Sequence, residues 1–314
     1  MLLDGVNVPE RPGEIRACLV VRNEALRLPS VLDHHRKLGV DRFLIVDNGS
    51  TDGTLDYLSH QNDIHTFRQA GSFGAAEAGK VWINTLLDAF CHDHWTLTLD
   101  ADEFFVFPGY ERISLRDFCG FLDVHAARGA FALMIDMYGA GDISEATHVP
   151  GRSLLETCPW FDPAPYEIVK VGLFPPIQFM GGPRARAFDF SAYQPRPPAL
   201  SKVPLVKWRR GMKYLLSTHA ITPTSIYPML TALLHFKFLS DFPERVGVAM
   251  REGQHYGGSK EYRAYSDTLR ANGGLLRLHN AQSVAFTGSD QLVALRLMQT
   301  NAAYDAFLEG ALSG

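Results

Sequence analysis

Short apolar runs alternate with helical segments through the first third of the chain, and this alternation limits the fold more than any other feature. IRACLVV (15–21) and FLIVD (43–47) are continuous runs rich in branched residues, which is typical of parallel strands buried on both faces. Between them, LPSVLDHHRKLG has Pro29 near a helix start and Gly39 where a helix would end. Because parallel strands need a crossover connection, the pattern predicts a β-α-β unit.

The alternation continues to about residue 100. The predicted segments after FLIVD are a helix over 54–60, a weak strand over 65–68, a helix over 77–90 and the strand WTLTLD over 95–100. Strands and helices in alternation pack as layers, with helices on both faces of one sheet. The sequence therefore predicts an α/β fold with a twisted, mostly parallel sheet, and ligands bind such sheets at the carboxyl ends of the strands.

The second half of the chain is less regular. Residues 175–204 contain seven prolines, which is typical of a loop. We predict one or two helices over 226–253 and an amphipathic helix over 289–312. Basic residues dominate 184–213, so this segment is either a solvated loop or a wall against a phosphate-bearing substrate.

Composition argues against several classes of protein. Of the 314 residues 20% are charged, and the formal net charge of -4 does not indicate a nucleic-acid or anionic-membrane surface. We expect no signal peptide and no integral membrane segment, since no run approaches the ~20 apolar residues of a membrane span. The cysteines form no CxxC pair, which favours reduced thiols in a cytoplasmic protein over a disulfide scaffold or a zinc site.

Three carboxylates follow the WTLTL strand within four positions, at Asp100, Asp102 and Glu103. Unpaired charge at the edge of a core costs several kcal/mol or shifts its pKa, so a cation is expected there. Carboxylate oxygens suit Mg²⁺ or Mn²⁺, which share their other ligand positions with phosphates and water. A solvated acidic turn is the structural alternative, although the flanking residues are strongly apolar. Asp47 likewise ends an apolar strand.

Two segments together resemble the family 2 type glycosyltransferases of GT-A fold, namely RNEALRLPSVLDHHRKLGVDRFLIVDNGSTDGTLDYL and WTLTLDADEFFVF. The similarity is specific over residues 16–108, about a third of the chain. It implies a GT-A, Rossmann-like domain that holds a nucleotide-sugar at the first strand end, at the DNGSTD turn and, through a metal, at the DxD. The residues that it places on the donor are Val20, Arg22, Asn23, Glu24, Asp47, Asn48, Ser50, Asp52, Asp100, Ala101 and Asp102. Ser50 and Asp52 have a structural alternative, a cap on the next helix.

The resemblance also implies a late histidine that completes the metal site of Asp100 and Asp102. His235, in LLHFKFLSDFPERV, is preferred and His219, in KVPLVKWRRGMKYLLSTHAI, is its rival; core packing is the alternative for each. A catalytic base must reach the acceptor hydroxyl opposite the leaving group. The candidate bases are, in order of preference, Asp162, Asp136 and Glu156.

These features predict a hexosyltransferase-like, metal-dependent glycosyltransferase that uses Mn²⁺ or Mg²⁺ with a UDP-sugar and inverts the anomeric carbon. The expected acceptor is a carbohydrate or glycolipid hydroxyl, in surface polysaccharide or glycoconjugate synthesis. We expect one domain over 1–314, with a nucleotide-sugar-binding half at 14–110, an acceptor and metal half at 111–240 and a helical extension at 241–314. Two alternatives stay open, a haloacid-dehalogenase-type phosphatase with Asp100 as nucleophile and a non-catalytic nucleotide-sugar-binding relic.

Overall fold

One mixed sheet of ten strands organises the chain in this computed structural model, which describes residues 5–253 and 256–313. The strands are β1 (Arg16–Val21), β2 (Arg42–Asp47), β3 (Ile64–Arg68), β4 (Trp95–Leu99), β5 (Glu103–Val106), β6 (Gly129–Tyr138), β7 (Trp160–Phe161), β8 (Tyr166–Lys170), β9 (Ile177–Gly181), β10 (Ser201–Lys207), β11 (Ile226–Phe238) and β12 (Val284–Ala285). Of these, β8 and β9 form a separate antiparallel pair.

Helices flank the sheet, and the predicted α/β class is confirmed. The helices are α1 (Leu28–Leu38), α2 (Thr54–Ser59), α3 (Lys80–Phe90), α4 (Leu115–Val124), α5 (Leu154–Thr157), α6 (Gly182–Ala187), α7 (Phe242–Glu252), α8 (Tyr256–Ala271), α9 (Ser289–Ala294) and α10 (Ala302–Ser313), with a 3-10 helix at Ile143–Glu145. Within the described ranges, no helix has the length and apolar character needed to cross a membrane.

Parallel pairing is strongest in the first half of the chain. There β3, β2, β1 and β4 lie side by side and parallel, as predicted, because their apolar residues are covered on both faces. Next to them β10 runs antiparallel between β4 and β6. The second half thus adds antiparallel pairings that the sequence did not predict.

The strand register brings acids from distant parts of the chain to one edge. β1, β2 and β4 are parallel and end at the same edge, where Asp47 is the last residue of β2. β11 lies between β5 and β6, so its His235 is opposite Glu103 on one side and Asp136 on the other. The edge predicted to bind ligands therefore combines residues from both halves of the sequence.

Several predicted elements are wrong. Residues 226–238 form strand β11 and not a helix, because neighbouring strands on both sides bury the apolar run, and periodicity alone does not separate the two cases. The single helix over 289–312 is instead α9 and α10, interrupted near Arg296, whose φ is 60°. The presumed loop over 175–204 contains β9, α6 and the start of β10.

One boundary in the first half also differs from the prediction. The third helix begins at Lys80 and not at Glu77, because Glu77 and Ala78 have φ of 51° and 58° and Gly79 has φ of 79°. Left-handed backbone cannot continue a right-handed helix. These residues form a turn directly before α3.

Candidate active site

Asp47 is buried at the edge where the parallel strands end. Its Oδ2 accepts hydrogen bonds from the N–H groups of Gly49 and Ser50, at 3.1 and 3.2 Å, which fold the following turn back over the carboxylate. Its Oδ1 is buried and has no hydrogen-bond partner among the described residues. Because an unsatisfied buried oxygen is costly, this atom has the capacity to accept a bond from a ligand.

The turns that follow β1 and β2 are bonded to each other. Asn23 has a φ of 56°, and its Oδ1 accepts from the Thr51 N–H at 2.7 Å. In return the Asn23 N–H donates to the Ser50 hydroxyl at 3.0 Å, and the Ala25 N–H donates to Asp52 at 3.0 Å. Asn23, Ser50 and Asp52 therefore fix the shape of this edge through contacts within the protein.

The helix cap considered for Ser50 and Asp52 takes a different form. Gly53 is the N-cap residue of α2, and no side chain caps the helix through that residue. Asp52 Oδ1 accepts from the N–H and the hydroxyl of Thr54, at 3.0 and 2.6 Å. Asp52 thus stabilises the start of α2 from one position before the N-cap, whereas Ser50 does not cap it.

Helix α7 supplies partners to two residues of the first turn. Arg22 forms an ion pair with Glu252 at 3.0 Å, and Glu24 Oε1 accepts from Arg245 at 2.7 Å. Glu24 is buried, and its Oε2 lacks a hydrogen-bond partner within the described part of the chain. Arg22 and Glu24, both predicted to contact the nucleotide-sugar, thus form ion pairs with a helix that comes much later in the sequence.

The remaining residues that were predicted to contact the nucleotide-sugar either line a cavity or support the structure around it. Val20 and Asp100 line a cavity of about 50 Å³ at the ends of β1 and β4. Asn48 Nδ2 donates to the backbone carbonyls of Gln69 and Gly71 at 2.8 Å each, which holds the loop after β3. Ala101 is part of the hydrophobic core.

Lys202 of β10 supplies a cation to the acidic turn. Its Nζ lies 2.5 Å from Asp100 Oδ2 and 2.6 Å from Glu103 Oε1, and its side chain is only 2% exposed. Burial acts to lower the pKa of Lys202, but the two carboxylates outweigh burial and raise it, so the ammonium stays charged. The side chain of Asp100 is partly exposed, and although desolvation beside the acidic turn opposes its ionisation, Lys202 keeps the pKa of that carboxyl below its usual range. The chain itself therefore provides part of the positive charge that was expected beside the acidic turn.

His235 of β11 lies between two buried carboxylates. Its Nδ1 is 2.6 Å from Asp136 Oδ1, and its Nε2 is 3.4 Å from Asp102 Oδ2. Burial disfavours the imidazolium, but Asp102 and Asp136 outweigh burial and raise the pKa of His235. Burial also opposes ionisation of Asp102, although His235 and nearby arginines hold its pKa well below the usual range. Since an ionised carboxylate only accepts, Nδ1 donates to Asp136 and Nε2 faces Asp102.

Arg184 of α6 holds Asp136 in place. Its Nε and Nη2 lie 2.7 and 2.8 Å from the two oxygens of Asp136, a bidentate pair that is fully buried. Arg184 also approaches Glu261 of α8 at 3.4 Å, and Glu261 pairs with Lys237 at 3.0 Å. With both oxygens engaged, Asp136 orients His235 and is not a free base.

Asp162, the preferred candidate base, lies on the same side of β6 as Asp136 and His235. Its carboxylate accepts from the Tyr138 hydroxyl and from Nε and Nη2 of Arg186, at 3.1 Å for each nitrogen. Tyr138 and Asp136 are two positions apart on β6, so their side chains point to one face, roughly 7 Å apart along the strand. Three accepted bonds leave capacity on the carboxylate for one more donor.

The last two predicted residues lie in other surroundings. His219 Nδ1 is 2.7 Å from the carbonyl of Ser201, and burial together with the Lys202 charge lowers the pKa of His219 to about 4. Glu156 forms a capping box with Ser153 at the start of α5, and its side chain is exposed. Glu156 therefore has a structural role, and His219 is a neutral neighbour of Lys202.

The pair of Asp102 and His235 fits a divalent cation. Mn²⁺ and Mg²⁺ take ligands at about 2.1 Å, so two ligands on adjacent octahedral positions are about 3 Å apart, close to the 3.4 Å between Oδ2 and Nε2. A carboxylate behind the second imidazole nitrogen, here Asp136, is typical of metal-binding histidines. Among the described residues no three histidine, cysteine or acidic side chains converge on one metal position, so Asp100 and His219 do not join the pair. The other ligand positions are left for substrate oxygens and water.

Two residues at the centre of this network were not predicted individually. Lys202 and Arg184 lie in the basic segment 184–213, for which the sequence left a solvated loop and a phosphate wall as alternatives. Both instead pair with buried acids, Arg184 with Asp136 and Lys202 with Glu103. An isolated basic residue among apolar neighbours, as in the strand around Lys202, is the one signal that could have indicated this role.

Comparisons with known proteins give limited further evidence. No family model matches the chain. A glycosyltransferase family 92 protein of Ricinus communis is 36% identical over 98 residues, which are 30% of this chain and 17% of that protein. The chain therefore matches about a sixth of the length of this relative.

Solved structures resemble the chain only distantly. Glucosyl-3-phosphoglycerate synthase from Mycobacterium tuberculosis, in complex with Mn²⁺, UDP and glucosyl-3-phosphoglycerate, is 18% identical with a TM-score of 0.26 over 40% of this chain and 44% of that chain. 4-Diphosphocytidyl-2C-methyl-D-erythritol synthase from Anaerococcus prevotii is 15% identical with a TM-score of 0.26 over 41% of this chain and 58% of that chain. At these scores neither structure bears on the function of this chain.

Proposed function

We propose that this chain is a metal-dependent glycosyltransferase that transfers a sugar from a UDP-sugar to an acceptor hydroxyl, with inversion at the anomeric carbon. One observation carries the proposal. Asp102 and His235 lie 3.4 Å apart at the edge of the sheet where Asp47 also lies. There Asp47 Oδ1 is buried and has no hydrogen-bond partner among the described residues. Two metal ligands and an unpaired carboxylate oxygen at the ends of parallel strands suit a nucleoside diphosphate. Its phosphates need a cation, and its base offers N–H donors.

The chain's own residues divide the work of binding. Asp102 and His235 would hold the divalent cation, which when bound stabilises the charge of the departing diphosphate. Asp136 fixes the imidazole so that Nε2 faces the metal position. Asp47 Oδ1 accepts from the nucleoside, and Asp100 lines the cavity at the ends of β1 and β4.

Asp162 is the proposed base that removes the proton from the acceptor hydroxyl. Its carboxylate is anchored by Tyr138 and Arg186 on the same face as the Asp136 and His235 pair. A single displacement needs the base on the side of the sugar opposite the leaving group, and a separate anchored carboxylate can meet that demand. The acceptor in this proposal is a carbohydrate or glycolipid hydroxyl.

The family 92 relative agrees in its name with the type of reaction, and it matches 30% of this chain. A phosphatase that uses Asp100 as nucleophile is a second candidate, since the side chain of Asp100 is 59% exposed. Lys202 already occupies one oxygen of that carboxylate, which favours the transferase.

A screen of nucleotide-sugars for slow, Mn²⁺-dependent hydrolysis tests the reaction, because many transferases pass the donor sugar to water when no acceptor is present. We expect turnover of a UDP-sugar that EDTA abolishes, and UDP binding in calorimetry that weakens strongly in EDTA. Release of phosphate from small phosphomonoesters without nucleotide-sugar turnover would establish the phosphatase instead. Nucleotide binding without any turnover would indicate a non-catalytic relic.

A further inference from the structure

Lys202 combines three features that are unusual for a lysine. It is buried, its ammonium contacts two carboxylates of the same acidic turn, and it lies beside an irregularity in its strand. The pairing of β10 with β6 shifts between Lys202 and Leu205, and Pro204 within this stretch cannot donate to the ladder. Strand irregularities of this kind re-aim side chains and are frequent next to active sites.

Lys202 belongs to a cluster of charged side chains around the acidic turn. Four carboxylates belong to this cluster, two on the acidic turn beside Lys202 and two beside His235. Lys202 and Arg184 are cations that contact these carboxylates directly, and the charges of Arg245 and Arg27 also act on Asp102. Lys202 is the cation that contacts both Asp100 and Glu103 of the acidic turn.

We infer that Lys202 is a fixed cation that holds Asp100 and Glu103 away from the metal and so limits the site to one divalent ion at Asp102 and His235. Lys202 is in this sense a positioning residue, because it touches neither metal nor substrate. The inference rests on the proposed function for the nature of the ion.

The geometry of the acidic turn explains why such a residue is needed. Asp100, Asp102 and Glu103 leave the same strand end within four positions, and Glu103 also accepts from the Asp100 N–H at 3.0 Å. Without the ammonium, the exposed carboxylate of Asp100 and the buried one of Glu103 would both be free to bind a cation. Divalent ion affinity rises with the number of charged oxygen ligands, so a site without Lys202 would bind metal more tightly or bind two ions.

Mn²⁺ binding by the full chain without nucleotide tests the inference, with free Mn²⁺ followed by electron paramagnetic resonance. Lys202→Met keeps the length of the side chain and removes its charge. We expect it to bind Mn²⁺ at least about tenfold more tightly than the wild type, or to bind a second ion. Lys202→Arg restores the charge and should restore binding of one ion.

Lys207→Met is the matched control, since Lys207 lies on the same strand and pairs with Asp123 at 2.8 Å near the surface. It should bind Mn²⁺ as the wild type does. Unchanged or weaker binding by folded Lys202→Met, judged by circular dichroism, would overturn the inference alone. Absence of Mn²⁺ binding by the wild type would overturn the proposed metal site, and the inference with it.

A second variant decides the question if Lys202→Met does not fold. Asp100→Asn changes an exposed side chain that Lys202 already occupies. We expect its Mn²⁺ affinity to stay within about threefold of the wild type, whereas Asp102→Asn should lose most of the affinity. A loss in Asp100→Asn as large as that in Asp102→Asn would show that Asp100 binds the metal and would overturn the inference.

Discussion

The two ends of the parallel strands both carry clusters of charge, but the clusters are bonded differently. At the amino-terminal ends Glu14 accepts from Arg42 at 2.6 and 2.9 Å and from Arg16 at 3.2 Å. Asp63 next to them is gripped by Arg36 through two bonds of 2.7 Å. Arginine forks saturate these carboxylates, which leaves them a structural role.

At the carboxyl-terminal ends two acids have bonding capacity left over, although Arg184 engages both oxygens of Asp136. Asp47 has an oxygen without a partner among the described residues, and Asp102 has the Nε2 of His235 only at 3.4 Å. Cleft size alone would favour the end opposite the proposed site, since a cleft of about 480 Å³ lies at the amino-terminal ends and the cavity beside Asp100 measures about 50 Å³. Unpaired carboxylate oxygens distinguish the two ends, since among the described residues the buried ones belong to Asp47 and Glu24, which both lie at the carboxyl-terminal ends.

The largest expected effect is a difference in turnover between two single variants, each of which neutralises an acid at one end of the parallel strands. Asp102→Asn should lower Mn²⁺-dependent turnover of the donor by at least about 10²-fold, because a charged metal ligand is lost. Asp63→Asn, at the opposite end, should leave turnover within about twofold. Steady-state rates at saturating Mn²⁺ measure both, and equal losses would show that the comparison of the two ends is mistaken.

For the free energy of unfolding, we expect the larger effect from a variant at the amino-terminal ends of the strands. Arg42→Met removes two bonds to the buried Glu14, although Arg16 remains as a partner, so we expect a loss of about 1–3 kcal/mol in the free energy of unfolding. Affinity for UDP should not change, since the pair lies at the far end of the strands. Urea unfolding and calorimetry check the two parts, and a weakened UDP affinity would contradict the separation.

A smaller effect distinguishes two acids within the site. Asp47→Asn keeps an oxygen for the turn but replaces an acceptor by a donor, and UDP affinity should fall about tenfold with a small change in stability. Asp52→Ala removes the bonds to Ala25 and Thr54 and should cost about 1 kcal/mol of stability with little change in affinity. If stability falls more for Asp47→Asn than for Asp52→Ala, the binding and structural roles are exchanged.

The first half of the fold could be predicted because its local signals agree with its tertiary structure. β1, α1, β2 and β4 match their predicted ranges within one or two residues, as apolar runs and helix ends are read from neighbouring positions. β11 could not be predicted in the same way, because a mostly apolar segment of thirteen residues is longer than a typical strand and favours a buried helix by length. Only its pairing with β5 and β6 decides between them.

The candidate site was predictable where it is local and not where it depends on distant contacts. Asp102 and His235 were both identified, but their meeting depends on strand pairing across more than a hundred residues. The partnership of Lys202 with Asp100 spans 102 positions, and no local pattern records it. Ion pairs of this kind follow from the topology of the sheet.

The smallest effect concerns pH at the amino-terminal end. Burial acts to raise the pKa of Glu14, but the guanidinium groups of Arg42 and Arg16 outweigh it and hold that pKa below 4.5. The unfolded chain then binds the proton first as the pH falls, so the contribution of Glu14 to stability is complete above pH 4.5 and is lost as the pH falls through the folded-state pKa. Urea unfolding from pH 6 to about pH 3 should show a steeper loss of stability for the wild type than for Glu14→Gln, which has no proton to gain. Parallel curves for the two proteins would mean that the arginines do not stabilise the ionised carboxylate, and the two ends of the strands would then be less different than their bonding indicates.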